Sequence, residues 1–245
     1  MISTTFKMNL ISLQHKTSED FDKNLSKLIK KIENCPKNSL IVAPELYLTG
    51  YSYNRLEEAS LFTNTAINIL KFLSYSKIIS LTMTTKKNNK YYNTLHVFYN
   101  GLIVHTQSKL KLFVLGDEKK YFTKGDKKDI KTIKINGIKI ASLICFELRF
   151  INLWERVRGA DIIIVPAMWG KSRKDHYESL TKTLAITNQC YVIASDSANN
   201  NMAKSSAIIS PFGNVIKDDD KKVIQDKFKP KEIKKMRRLL NTGIQ

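Results

Sequence analysis

Short apolar runs that stop at polar or turn residues alternate along this chain with stretches whose apolar positions recur every three or four residues. The first pattern predicts strands buried on both faces, the second amphipathic helices. Phe6 to Leu13 reads as a first strand. Thr17 or Ser18 then offers an N-cap, with Glu19 and Asp20 in the first turn. Phe21, Leu25, Leu28, Ile29 and Ile32 follow at helical spacing to about Glu33. Ser39 to Ala43 is a second buried strand, ending in Pro44-Glu45. The chain thus begins strand, helix, strand, with a carboxylate at the tip of the second strand.

A loop through Leu46 to Tyr53 leads to helical pattern from about Glu57 to Leu73 and a strand at Lys77 to Met83. Asn100-Gly101 predicts a type I′ hairpin, whose second strand is Leu102 to Thr106. Ser108 to Gly125 is irregular, with charges set beside aromatics, and reads as a long surface excursion of the functional kind. Asn136-Gly137 predicts another hairpin, whose second arm carries the apolar run Ile140 to Ile144. A short helix over Ile151 to Arg158, ended by Gly159, precedes the buried strand Asp161 to Pro166. A helix from about His176 to Gln189 and a strand at Tyr191 to Ser195 come next. Ser205 to Ile209 and Val215 to Ile216 flank a turn at Pro211 to Asn214, and the tail from Lys229 reads as partly helical and basic. No linker, low-complexity block or short repeat interrupts this order. It predicts one mixed-sheet α/β domain over residues 1–245.

Composition narrows the class. With 42% hydrophobic residues there is ample core for a folded domain. No apolar run approaches the ~20 residues of a membrane span, and MISTTFKMNLISL lacks the pattern of a signal peptide. Cys35, Cys145 and Cys190 match no metal spacing, and an odd, widely spaced set argues against a disulfide framework. A soluble, unexported, cytoplasmic protein is the expectation. The formal net charge of +19 raises nucleic-acid binding as a possibility. Only seven of the 41 basic residues are arginine, however, and the lysines are scattered along the sequence. A solvated lysine-rich surface is the better reading.

The candidate chemistry centres on Cys145, where the apolar run Ile140 to Ile144 ends. A thiol at the C-terminal end of a buried strand sits where open α/β sheets place their reactions. A free cysteine has a pKa near ~8.5, so it needs a base or a positive charge beside it to act as a nucleophile. Glu45 and Lys109 lie at or just beyond other predicted strand ends. Each alone has a plain explanation: a turn glutamate, one surface lysine of many, a buried cysteine. Cys35 reads as a turn residue and Cys190 as a buried small hydrophobe.

Taken together, IVAPELYLTGY around Glu45, SKLKLF around Lys109, GDEKKYFTKG around Glu118 and ASLICFELRF around Cys145 resemble the nitrilase superfamily of carbon–nitrogen hydrolases, in order and spacing. GADIIIVPAMWG, the His176-Tyr177 helix start and SPFGNV are similar to that family's later segments. The resemblance implies a four-layer αββα sandwich of mixed sheets, and a Glu45, Lys109, Cys145 triad with Glu118 helping to position substrate. Lys111 is the alternative lysine if the register of SKLKLF is shifted. In the implied reaction Glu45 is general base, Lys109 and the Phe146 backbone N–H stabilise an oxyanion, and a thioester forms on Cys145, without a metal or organic cofactor. Three departures from the family pattern stand out. Leu184 and Thr187 replace an arginine and a glutamate, Lys204 replaces the glycine of Gly-x-Ser, and no Pro-Glu follows Phe150.

The resemblance further implies a small-molecule substrate with an amide or carbamoyl C–N bond, and a homodimer or larger homo-oligomer. His176-Tyr177 is similar to the His-Trp segment of the branches that hydrolyse terminal amides of small carboxylated amides. Arg173 and Lys174 could bind a substrate carboxylate, with Phe146, Trp169 and His176 in the pocket wall, or the two cations could be solvated loop charges. A carboxylated linear amide is the first expectation, an N-carbamoyl amine or amino acid the second, a nitrile the third. A catalytically silent binding or scaffold relative is the competing class.

Overall fold

A computed structural model describes residues 8–244. Its first half contains β1 (Asn9–Leu13), α1 (Phe21–Glu33), β2 (Ser39–Val42), α2 (Leu56–Leu73), β3 (Lys77–Lys87), β4 (Lys90–Tyr99) and β5 (Leu102–Ser108). The short helix α3 (Glu118–Tyr121) leads to β6 (Ile133–Ile135), β7 (Ile138–Ser142), α4 (Ile151–Trp154) and β8 (Ile162–Ala167). The remainder is α5 (Lys174–Asn188), β9 (Tyr191–Asp196), β10 (Ala207–Ile209), β11 (Val215–Lys217), β12 (Val223–Lys227) and α6 (Pro230–Leu239).

The strands form two six-stranded sheets, ordered β12-β1-β2-β3-β4-β5 and β11-β10-β9-β8-β7-β6. β1, β2 and β3 run parallel, as do β7, β8 and β9, and every other pairing is antiparallel. Parallel neighbours need a crossover, which α1 and α2 supply in one sheet and the α4 and α5 segments in the other. Side-chain alternation then assigns the faces. Leu10, Leu40, Val42 and Ile78 share a core with Ile140, Ile162 and Ile164 of the second sheet. Ile11, Ile41 and Ile79, one step out of phase, pack instead with Leu25, Leu28 and Ile32 of α1 and Leu70 of α2. Leu184 of α5 and Ile233 of α6 belong to the core on the second sheet. The result is an αββα sandwich of two mixed sheets. Ser195 Oγ ties the layers by donating to the Leu13 and Val42 carbonyls at 2.7 and 3.1 Å. Among the described residues no helix is long and apolar enough to cross a membrane.

Several local expectations are corrected. The N-cap of α1 is Asp20, which accepts from Lys23 N at 2.8 Å, not Thr17 or Ser18. Ser18 is occupied elsewhere, by the Asn24 side chain. Of the expected strand from Phe6, residues 6 and 7 lie outside the described residues. β3 runs past Met83 into a hairpin at Asn88-Asn89, both in the left-handed region with φ of 49° and 55°. The Asn100-Gly101 and Asn136-Gly137 turns also have positive φ at both residues, as type I′ geometry requires. β7 stops at Ser142, short of Ile144. The helix expected to reach Arg158 is one α-turn followed by a 3₁₀ turn, Glu155–Val157. β12 was not visible in the sequence pattern, since VIQDK has little apolar content for an edge strand half open to water. The Ser108 to Gly125 segment is irregular as expected but not wholly superficial: Lys109, Leu112, Glu118 and Phe122 are buried.

Candidate active site

The Glu45, Lys109 and Cys145 side chains come from three strand ends on both sheets. Glu45 follows β2, and its backbone N–H donates to Ala167 at the end of β8, 3.2 Å away. Leu46 sits at φ 44° and its N–H is held by Thr82 Oγ1 at 2.7 Å, which fixes the turn that carries Glu45. Lys109 follows β5, with its N–H on the Asn93 carbonyl at 2.8 Å and its carbonyl accepting from Gly125 N at 2.8 Å. Gly125 is required there, because a Cβ would lie 2.0 Å from the Ser108 carbonyl oxygen. Cys145 begins a 3₁₀ turn, Cys145–Arg149, at φ 47°. A non-glycine residue in that region costs ~1–3 kcal/mol, held here by the surrounding structure.

The centre of the site is the Lys109 ammonium, whose residue is 0% exposed. Its Nζ donates to Glu45 Oε1 and Glu118 Oε1, each at 2.7 Å, and lies 3.3 Å from the Tyr51 hydroxyl. Glu45, also 0% exposed, accepts from Asn93 Nδ2 at 2.8 Å and from the Met168 N–H at 3.2 Å. Tyr51 donates to Glu118 Oε1 at 2.8 Å. Lys111, the alternative in SKLKLF, instead lies with its Nζ 4.6 Å from the centre of the Phe150 ring.

Burial and mutual charge set the protonation states. Burial opposes the Lys109 charge, but Glu45, Cys145 and Glu118 outweigh it and hold the ammonium above its ordinary range. Burial, then the adjacent Glu45 charge, push the Cys145 thiol well up, against the pull of Lys109. Cys145 is therefore held as a neutral thiol, hydrogen-bonded to the Glu45 side chain. Burial also raises the Glu118 carboxyl despite its contact with Lys109.

Beside Cys145 a pocket is walled by Phe113, Phe146 and Trp169 and carries two cations, Arg149 and Arg173. The Arg149 guanidinium lies 4.9 Å from the centre of the Trp169 ring, and Arg173 5.4 Å from that of Phe113. A Cβ on Gly170 would meet Arg173 Nη2 at 2.6 Å, so glycine there lets the guanidinium close on the backbone. His176 is exposed and reaches the site through a 3.0 Å contact with Arg149. Lys174 is turned away: it bonds the Ala203 carbonyl and ion-pairs with Asp219 and Glu178.

Four supporting residues were not found from sequence. Tyr51 and Asn93 hold the triad as described. Glu147, 0% exposed, accepts from the Leu110 N–H at 2.6 Å and the Ile144 N–H at 2.7 Å, gripping the neighbours of both Lys109 and Cys145. Asp196 accepts from the Trp169 N–H at 2.8 Å and so sets the pocket wall. The usable signal was parity: Asn93 stands on the inward face of β4 with Leu95 and Val97, where a polar side chain needs a reason. Of the departures, Leu184 enters the core, Thr187 is exposed, and Lys204 occupies φ 54°, a glycine-like conformation.

Comparison with known proteins agrees with this geometry. The family model for carbon-nitrogen hydrolases matches residues 10–238. A 2-oxoglutaramate amidase of Bacillus subtilis (strain 168) is 32% identical over 206 residues, 79% of this chain and 78% of that protein. Omega-amidase YafV of Escherichia coli (strain K12) is 26% identical over 201 residues, 79% and 77% of the two chains. Saccharomyces cerevisiae Nit3, a member of branch 10 of the nitrilase superfamily, has the same fold, with a TM-score of 0.84 at 22% identity. That match covers 98% of this chain and 96% of the yeast chain.

Proposed function

The chain belongs to the carbon-nitrogen hydrolase family, and on that footing we propose that it hydrolyses the terminal amide of a small carboxylated amide to acid and ammonia, with Cys145 as nucleophile. The observation that carries this reading is the pairing of the buried Glu45–Lys109–Glu118 contacts with a pocket holding both Cys145 and two arginines. The sequence likeness to enzymes named 2-oxoglutaramate amidase and omega-amidase supports the same substrate class.

Glu45 takes the Cys145 proton as sulfur attacks the amide carbon. The carbonyl oxygen becomes an oxyanion, stabilised by the Lys109 ammonium and the Phe146 backbone N–H; loss of one such contact costs ~3 kcal/mol or more. The C–N bond then breaks, Glu45 returns its proton to the departing nitrogen, and ammonia leaves behind a Cys145 thioester. Glu45 next deprotonates water, which attacks the thioester; the C–S bond breaks and the proton restores the thiol. Lys109 stays charged throughout, and Tyr51 and Glu118 hold it in place. Arg149 and Arg173 pair with the substrate's carboxylate and so orient its amide end toward sulfur.

The test is ammonia release from 2-oxoglutaramate, from neutral amides and from N-carbamoyl amino acids, each with a Cys145→Ala control. Release from 2-oxoglutaramate that disappears in the control is the expected result. Turnover of N-carbamoyl compounds alone, or of neutral amides in preference, overturns the carboxylated-amide assignment.

A further inference from the structure

Lysines that are scattered in sequence converge in space. At the carboxyl end of β1, a cleft of about 670 Å³ opens between α1 and the segment 219–222. That volume is within the range of small-molecule sites. Seven lysines line it against two aspartates, Asp219 and Asp220. Lys27, Lys30 and Lys31 project from one face of α1, at the spacing that puts residues three and four apart side by side. Lys222 stands on the other wall, with Lys16 at the β1 end.

Little of this charge is neutralised internally. Lys221 pairs with Asp218 at 3.3 Å, and Asp219, on the cleft wall, is shared with Lys174 and Lys217, which lie outside the lining. Lys27, Lys30, Lys31 and Lys222 have no carboxylate at ion-pair distance among the described residues. Such a gathering of like charge is unfavourable until an anion enters it.

The wall also holds a buried polar group with nothing to bond. His15 is 8% exposed, and its Nε2 has no hydrogen-bond partner among the described residues. Burial, then the Lys31, Lys222 and Lys27 charges, hold its imidazole down at about 4, and all three lysines share the cleft wall with it. The ring lies 5.9 Å from that of Tyr47, two residues beyond Glu45. The cleft therefore abuts the back of the loop that carries Glu45 and is separate from the Cys145 pocket.

We infer that this cleft is a second binding site, taking a small anion that carries two or more phosphate groups. Phosphate is favoured over carboxylate because lysine ammonium groups act as independent point charges that suit a spread-out tetrahedral anion, whereas planar carboxylates are matched by arginine forks. No arginine lines this cleft.

The test is calorimetric titration of the full chain with inorganic pyrophosphate, and separately with citrate, at low salt. A Lys31→Gln/Lys222→Gln variant and a control with the same loss of charge, Lys127→Gln/Lys134→Gln, are titrated alongside; thermal melts establish that both are folded. Saturable pyrophosphate binding that weakens about tenfold or more in the cleft variant, and is unchanged in the control, is expected. Absence of saturable binding, or equal weakening in both variants, overturns the site. Citrate binding as tightly as pyrophosphate overturns the phosphate assignment.

Discussion

Glu147 accepts the Leu110 backbone N–H at 2.6 Å, bridging from the turn after Cys145 to the residue after Lys109. Its other oxygen takes the Ile144 N–H at 2.7 Å. One buried side chain thus ties the residue after Lys109 to the residue before Cys145 without touching Lys109 or Cys145 itself. Glu147→Gln keeps the shape but offers a single acceptor oxygen, leaving one N–H unsatisfied at ~1–3 kcal/mol. The expected outcome is a lower melting temperature and a kcat reduced about tenfold with KM little changed, read from steady-state kinetics.

The same residue predicts a pH dependence of stability. Burial pushes the Glu147 and Asp196 carboxyls up to about 7. Each holds its proton more firmly folded than unfolded. The stability they contribute is therefore complete below the unfolded carboxylate range and is lost as pH rises toward about 7. One pKa unit is ~1.4 kcal/mol, so the loss is on the order of 3 kcal/mol per group. Urea midpoints across that range should fall less steeply for Glu147→Gln than for the native chain. Parallel slopes would remove Glu147 from the account.

Glu45 has two separable effects on Cys145. Its charge raises the thiol, and in the proposed reaction its carboxylate receives the proton. Glu45→Gln should abolish turnover by ~10³-fold, the scale of a lost general base. At the same time it should let the thiolate form at lower pH, since the Glu45 charge no longer adds to burial against the pull of Lys109. Ultraviolet titration of the thiolate in Glu45→Gln checks this, and a thiolate pKa that stays put or rises would sink the argument.

Removing Lys109 leaves Glu45 and Glu118 as buried charges without their shared partner. Lys109→Ala should cost ~3–5 kcal/mol of stability in addition to activity. Lys111→Ala should be nearly silent in both, because Lys111 rests against Phe150. Comparable losses in the two variants, by melting and by ammonia release, would contradict the assignment of the lysine.

Lys204 sits at φ 54°, where a side chain is strained. Lys204→Gly relieves ~1–2 kcal/mol of backbone strain and gives back part of that as unfolded-chain entropy. A net stabilisation of about 0.5–1 kcal/mol is expected in a denaturant series.

Glu45, Lys109 and Cys145 stand in distinctive local words, and the sequence singled them out for that reason. Those that hold them were not. Glu147 and Asp196 act across the fold on backbone groups, and Asn93 on the Glu45 side chain, all on partners far away in sequence; a lone polar residue in a strand carries no address for its partner. The N-cap of α1 failed similarly: Thr17 or Ser18 was expected, with Asp20 inside the first turn, but Ser18 bonds the Asn24 side chain and Asp20 caps the helix. The gathering of Lys27, Lys30 and Lys31 with Lys221 and Lys222 around His15 was likewise not legible, since position along a chain says nothing about convergence in space.

β12 has a consequence for synthesis. It pairs antiparallel with β1, Asn9 opposite Lys227 and Leu13 opposite Val223. Every strand of the second sheet lies between them in sequence. A chain emerging from the ribosome therefore carries β1 with one edge open until the second sheet has been made, and an open edge invites pairing with other chains. The polar residues of that late strand, Gln225, Asp226 and Lys227, cover the first-made edge last, so the nascent protein is most prone to misassociate just before its final turn of sheet is in place.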